Sequence, residues 1–280
     1  MRVRIRVGIR VWVVLLFMQW ATSVWALHGD FANCRHQFLE VPLAQDDSND
    51  FALCFTGYAV QYSGRHRIPV FSAAMLDRAR MEGARRTPRV GQFYEEARLP
   101  SRVRSLLSDY RQSGFDRGHM YPSGDSDSVE TSEQSMSLAN MVPQAPDLNR
   151  GVWNKIEQDV RRFVERNGGP VYVLTGPFVD DAQPRTIGRG VAVPTHVWKL
   201  VHDTVGKRSW VYWIENRNEA RKPDIIDVAE LEKRTGLLFP GHHQPCDRCG
   251  NAAGAVLNST IEKNSEKTAE KATQGHRQSH

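Results

Sequence analysis

The sequence predicts an α+β fold, a single domain with a central antiparallel sheet. Three observations carry this. Short apolar or alternating runs bounded by turn residues recur from about residue 53 to about residue 214, the mark of strands. Two pairs of them read as hairpins, hence antiparallel. One stretch, Gly151 to Arg166, instead repeats its apolar residues at helical spacing. Composition agrees: of 280 residues, 40% are hydrophobic and 25% charged, too apolar for a wholly disordered chain. Four cysteines in this length exclude a disulfide-dense mini-protein, and no stretch after residue 26 is apolar enough to cross a bilayer.

Residues 1–26 read as an export signal. Arg2, Arg4, Arg6 and Arg10 precede an apolar run from Val11 to Met18, and small residues lead to a cut after Ala26. The other reading is an uncut anchor, but the run is shorter than the ~20 residues a spanning helix needs, and Gln19 interrupts it. The expectation is therefore an exported protein, periplasmic or secreted, with no stable membrane association once the signal is removed. Global charge says nothing about partners. The formal +5 falls to +1, 33 basic against 32 acidic side chains, without those four arginines.

An exported chain can hold disulfides, and Cys34 and Cys54, twenty residues apart, are expected to be bridged. Cys246-Asp-Arg-Cys249 follows His242-His243, and three readings stay open: a small disulfide-closed loop, a structural Zn²⁺ site with both histidines, or a redox pair.

Along the chain, Phe55–Tyr62, the turn Ser63-Gly64 and Arg67–Ser72 predict a hairpin. Val171–Gly176 predicts a buried strand. Val191–Val201 and Trp210–Ile214 predict an antiparallel pair turning at Thr204–Lys207. In the long helix Val152, Ile156, Val160 and Phe163 share a face, with Gly168-Gly169 ending it. A second helix is expected over Ile225–Arg234. Beyond Ser259 the chain turns polar, so the predicted organisation is signal peptide 1–26, one domain 27–258 and a disordered tail 259–280.

Positive charge is local. From Arg78 to Arg117 there are ten arginines, five acids and no lysine. Guanidinium forks grip phosphate oxygens in pairs, although a solvated loop with paired charges is an equally open reading. The run ends in Asp116-Arg117-Gly118-His119. Neutral imidazole is the side chain best poised to take a proton near pH 7. A lone histidine is more often structural, but here a second polar constellation follows, Asn149-x-x-x-Trp153-x-x-x-Glu157-x-x-x-Arg161. If the helix starts just after Asn149, Glu157 lies about 80° around the axis from it and Arg161 about 120°. An amide oxygen and a carboxylate on one side of a helix are hard ligands suited to Mg²⁺. The plainer reading is an N-cap and a surface ion pair.

Asp116-Arg-Gly-His119, Leu138-Ala-Asn140-Met-Val-Pro-Gln144 and the Asn149 to Arg161 series together resemble the DNA/RNA non-specific endonuclease family, its endonuclease G branch above all. Thr175-Gly-Pro177, Val191-Ala-Val-Pro-Thr-His196-x-x-Lys199 and Tyr110-Arg-x-Ser-Gly-Phe-Asp116 match too, so the resemblance spans roughly residues 53 to 218. It implies a ββα-metal (His-Me finger) site. His119 would be the general base and Asn149 the direct ligand of one Mg²⁺, for which Mn²⁺ can substitute. Glu157 would hold metal waters, Arg117 and Arg161 would contact phosphate or aid the transition state, and Asn140 would support the histidine. Arg89 falls where the family places another phosphate-binding arginine.

The resemblance further implies DNA and RNA as substrates, 5′-phosphate and 3′-hydroxyl ends, and a homodimer as a state the family adopts. Three other readings compete with it: a non-catalytic nucleic-acid-binding protein on the same scaffold, a periplasmic zinc or thiol protein centred on Cys246 and Cys249, and an enzyme acting on a small phosphodiester.

Overall fold

The structure, a computed structural model, describes residues 30–43, 49–182 and 184–243. The predicted leader, the tail and the pair Cys246 and Cys249 lie outside the described residues. In chain order, a 3₁₀ turn (Ala32–Gln37) is followed by β1 (Asp50–Cys54), β2 (Ala59–Ser63), β3 (Ile68–Leu76) and α1 (Arg78–Arg86). Next come α2 (Leu107–Tyr110), β4 (Asp116–His119), α3 (Val129–Gln134) and β5 (Met141–Gln144). A continuous helical stretch comprises α4 (Pro146–Leu148), a π turn (Asn149–Trp153) and α5 (Asn154–Arg166). The remainder is β6 (Val171–Phe178), β7 (Arg185–Ile187), β8 (Val191–Val193), β9 (His196–Asp203), β10 (Arg208–Glu215), β11 (Asp224–Ile226) and α6 (Val228–Thr235).

Seven strands form one fully antiparallel sheet in the order β1-β2-β3-β6-β9-β10-β11. Alternation along each strand feeds two cores, one on each face. Trp210, Tyr212 and Ile214 of β10 face a core shared with Trp153, Ile156, Val160 and Val164 of the long helix. Val211 and Trp213, with Trp198 and Leu200 of β9, face a second core closed by Phe31, Phe38, Val228, Leu231 and Phe239. The Cys34–Cys54 disulfide, Cα to Cα 5.6 Å, ties the N-terminal turn to the edge strand β1, as expected from the sequence. Among the described residues no helix is long and apolar enough to cross a membrane.

Most predicted elements are present, with informative shifts. The hairpin β2–β3 forms, but Phe55–Tyr58 is a turn, closed by Phe55 N–H to Tyr58 O at 2.9 Å, and β1 precedes it. Apolar residues serve that turn because Phe55, Tyr58 and Tyr121 stack in one column at 4.4 and 4.3 Å. Val191–Val201 is split at Pro194, which has no N–H to donate: β8 pairs with β7 in a separate ribbon and β9 enters the main sheet. Ile225 belongs to β11, and α6 starts later, at an Asp227 cap accepting from Glu230 N–H at 2.8 Å. Part of the arginine run forms α1, not a loop.

Candidate active site

β4 and β5 make a two-stranded antiparallel ribbon that pairs Gly118 with Val142 and His119 with Met141, and the long helix follows directly. Glycine at 118 is obligatory: a Cβ there would sit 2.1 Å from Gln144 Oε1 and 2.5 Å from Gln144 Cβ. The side chain of β5 therefore lies across β4 and fixes the strand that presents His119. Asn140 secures its far end. Fully buried, it accepts from Tyr121 N–H (2.8 Å) and donates to the carbonyls of Tyr121 (2.9 Å) and Ser135 (3.0 Å). It touches backbone only, so it positions the histidine strand from below the site.

His119 opens into a cleft of ≈ 790 Å³ that Arg89, Arg117, Asn149 and Glu157 also line. Its Nε2 is buried and has no hydrogen-bond partner among the described residues. Burial, helped by the charge of Arg89, pushes its pKa down to about 3, which leaves a neutral ring with an unused nitrogen. Phe93 packs between the two motif side chains: its ring centroid is 5.7 Å from that of His119, and the Arg117 guanidinium lies 4.3 Å above it. Neither Arg117, Arg89 nor Arg111, all on the cleft, has an ion pair among the described residues.

Asn149 is not at the helix entrance, as the sequence suggested, but inside a helical stretch that begins at Pro146. The π turn removes roughly one residue of rotation, ~100°, so Asn149 comes to within ~20° of the Glu157 direction instead of ~80° away. Both then line the same cleft. The Asn149 amide is oriented by Asp116, whose Oδ2 accepts from Nδ2 at 2.9 Å. Only the nitrogen can donate to a carboxylate, so Oδ1 remains as a free acceptor. Arg150 grips the same carboxylate with Nε (2.8 Å) and Nη2 (2.6 Å). Burial works against ionisation of Asp116, but the bonds from Arg150 and Asn149 outweigh it and hold its pKa below the usual range.

Glu157 shows the opposite balance. Burial dominates and raises its carboxyl to about 7, against the pull of Lys199 and Arg161. Lys199 is 1% exposed, donates to Thr175 Oγ1 at 2.6 Å and lies 5.2 Å from the Trp153 ring centroid. Arg161 does not reach the cleft. It bonds Asp125 Oδ1 at 2.8 Å and lines a smaller recess beside α1. The resemblance implies a role for it at the phosphate; here its Nη1 donates to the buried carboxylate of Asp125.

Sequence reasoning also missed Asp116 as the amide's anchor, although it opens the quoted Asp-Arg-Gly-His run, and Lys199 and Asp125 as charges acting on Glu157. Of the ten arginines from 78 to 117, Arg80 donates to the carbonyls of Met75 and Gly57, Arg98 pairs with Glu96 and Arg104 caps Leu99 O. Part of the run is thus engaged within the fold, while Arg89, Arg111 and Arg117 line the cleft.

The described part of the proposed zinc set does not converge. His242 Nδ1 lies 2.9 Å from Pro240 O and its ring packs on His202, while His243 pairs with Glu232 at 2.9 Å. No cluster of three or more potential His, Cys, Asp or Glu ligands occurs among the described residues. The two cysteines lie outside them.

A one-ion site built on a single amide oxygen does not need such a cluster. Asn149 Oδ1, turned outward by Asp116, and the Glu157 carboxylate on the same cleft are hard oxygen donors of the kind Mg²⁺ accepts while keeping most of its waters.

Comparison with known proteins gives a consistent answer. Residues 36–243 match the family model described as DNA/RNA non-specific endonuclease. Zebrafish (Danio rerio) mitochondrial nuclease EXOG is 34% identical over 66% of this chain and 59% of its own length. Human mitochondrial endonuclease G is 32% identical over 65% of this chain and 67% of its own. The crystal structure of EndoG in complex with EndoGI superposes with a TM-score of 0.59 at 28% identity, covering 67% of this chain and 84% of that one. The chain spans under three-fifths of the length of the EXOG relatives it matches. Because the family model covers more than half of its residues, the chain belongs to the DNA/RNA non-specific endonuclease family.

Proposed function

We propose that this protein is an exported, Mg²⁺-dependent endonuclease that hydrolyses phosphodiester bonds of DNA and RNA without sequence specificity, leaving 5′-phosphate and 3′-hydroxyl ends. The observation that carries the reading is the unpartnered Nε2 of a neutral His119 on the same cleft as the outward-turned amide oxygen of Asn149. A buried nitrogen without a partner is costly; His242 Nε2 shares that state, so it is the place of His119 on the cleft beside Asn149 that favours a base.

A phosphodiester is an anion that repels hydroxide, so hydrolysis needs a base beside the attacking water and positive charge on the phosphoryl oxygens. His119 accepts the proton from that water. A ring held near 3 is a weak acceptor by itself, and the approach of an anionic phosphate raises it. Arg117, Arg89 and Arg111 supply cations on the cleft wall that grip the phosphoryl oxygens. Asn149 would hold the ion directly and Glu157 its waters. Bound there, Mg²⁺ or Mn²⁺ supplies charge stabilisation for the leaving 3′ oxygen.

No recognition helix or zinc-finger array is visible in the sequence, so affinity rests on phosphate contacts and sequence preference is weak. The leader composition and the Cys34–Cys54 bridge support export to an oxidising compartment, and cell fractionation tests that part. The test of the catalytic reading is His119→Ala. Plasmid cleavage should be lost while the melting temperature and DNA binding in chelator stay near wild type. Wild-type turnover in that variant would remove the base and the proposal with it.

A further inference from the structure

β7 and its turn to β8 were not singled out from sequence, yet the ribbon they form stands against the cleft wall. Its turn, Gly188-Arg189-Gly190, has φ of +49° and +96° at the glycines. The turn is clamped to α2: Arg189 N–H donates to Asp109 Oδ1 at 3.0 Å, and a Cβ on Gly188 would meet Asp109 Cα at 2.4 Å. Tyr110 and Arg111, the next two residues, line the cleft. The ribbon's position relative to the cleft is therefore fixed by direct contact.

Two exposed arginines sit on it. Arg185 lays its guanidinium 4.9 Å over the ring of Phe115, a cleft-lining residue, and has no ion pair among the described residues. A guanidinium stacked on a ring keeps its in-plane N–H donors free for an anion. Arg189 is 56% exposed and stands 3.6 Å from the Asp109 carboxylate, too far for a hydrogen bond. Neither residue lines the cleft itself, so neither serves the reacting phosphate. A polynucleotide, however, carries a further phosphate on each strand every ~3.4 Å of helix axis, and a small diester carries none.

We propose that Arg185 and Arg189 form, next to Arg111, a second phosphate subsite that grips the nucleic-acid chain beyond the scissile bond and selects long polynucleotides over dinucleotides and small diesters. The inference rests on the nuclease reading above and extends it to substrate length.

The test uses the full chain, its R185A/R189A variant, R185A alone and the charge-preserving R185K/R189K. Binding of a labelled duplex oligonucleotide is measured by anisotropy in chelator across a salt series, and turnover of bis(p-nitrophenyl) phosphate is measured with Mg²⁺. The double alanine variant should bind the duplex about a hundredfold more weakly, since each of the two charge-assisted contacts is worth roughly a factor of ten. Its log–log salt slope should flatten by about 1–2. R185A, which breaks no hydrogen bond, should show about half of both effects, and R185K/R189K should retain most of the slope. Small-diester turnover should not change.

Duplex affinity and salt slope equal to wild type in the double alanine variant would overturn the subsite. So would parallel loss of small-diester turnover, which would mean that the ribbon acts on the reacting centre through α2. A wild-type protein that neither binds nor cleaves nucleic acid would instead defeat the nuclease reading itself.

Discussion

Asp116→Ala is the perturbation that best isolates how the proposed metal ligand is held. Asp116 accepts one bond from Asn149 Nδ2 at 2.9 Å and two from Arg150, and its depressed pKa keeps it ionised throughout the neutral range. A hydrogen bond to a charged acceptor is worth about 1.5–3 kcal/mol. Without it the Asn149 amide is free to rotate, and its oxygen faces the cleft only part of the time. Loss of an orienting partner behind a metal ligand costs about 10–100-fold in metal affinity, or ~1.4–2.7 kcal/mol, which matches the bond removed. Isothermal titration of Mn²⁺ and Mg²⁺ into the nucleic-acid-free protein reads this directly. Asp116→Asn keeps one acceptor oxygen and should lose less. Arg150, released from its partner, remains a cation on the cleft, so duplex binding in chelator should not fall. An Asp116→Ala protein with native melting behaviour and unchanged metal affinity would refute the reasoning.

Other consequences follow from the same geometry. Asn140→Ala strands three buried backbone groups, Tyr121 N–H and the carbonyls of Tyr121 and Ser135, so it should cost about 3–6 kcal/mol in urea denaturation and take cleavage down with it. Stability should be acid-sensitive through His242, which is fully buried and pushed down to about 4 by burial. Between about pH 6.5 and 4 the unfolded chain binds the extra proton, so stability is complete above 6.5 and falls by about 3 kcal/mol as pH drops toward 4. Denaturation midpoints of His242→Phe should show a shallower fall, and an unchanged pH profile would contradict the assignment. Replacing Cys34 and Cys54 with serine opens a loop of 20 residues and should cost ~3 kcal/mol, read as a lower melting temperature that added reductant no longer shifts.

How much of this was legible in the sequence depends on the range of the signal. Strands β2, β3, β6, β9 and β10 of the main sheet, the hairpin at Ser63-Gly64 and the apolar stripe of α5 follow from local periodicity and are present, whereas β1 and β11 were not read from it. His119, Asn149 and Glu157 were legible because residue type and spacing survive in the chain, and they do share a cleft. What was not legible was set mainly by tertiary contact, the Cys34–Cys54 pairing apart. The π turn at Asn149–Trp153 has no composition signal, so the angular arithmetic from an ideal helix misplaced Asn149 relative to Glu157. The pairing of Arg161 with Asp125, 36 residues away in sequence, has no local signal. Lys199 sits in an apolar strand as though it were a core residue, and only packing shows that its charge reaches Glu157. Phe55–Tyr58 alternates like a strand because a stacked aromatic turn needs the same residues.

The most direct measurement of the central claim is digestion of plasmid and of RNA by the purified mature protein, with Mg²⁺ or with chelator, followed by end-group analysis. The account predicts cleavage of both polymers with Mg²⁺, 5′-phosphate ends, and no cleavage once the ion is removed. Full activity in chelator, or ends bearing 3′-phosphate, would contradict a mechanism in which His119 activates water opposite a 3′ oxygen stabilised by an ion on Asn149.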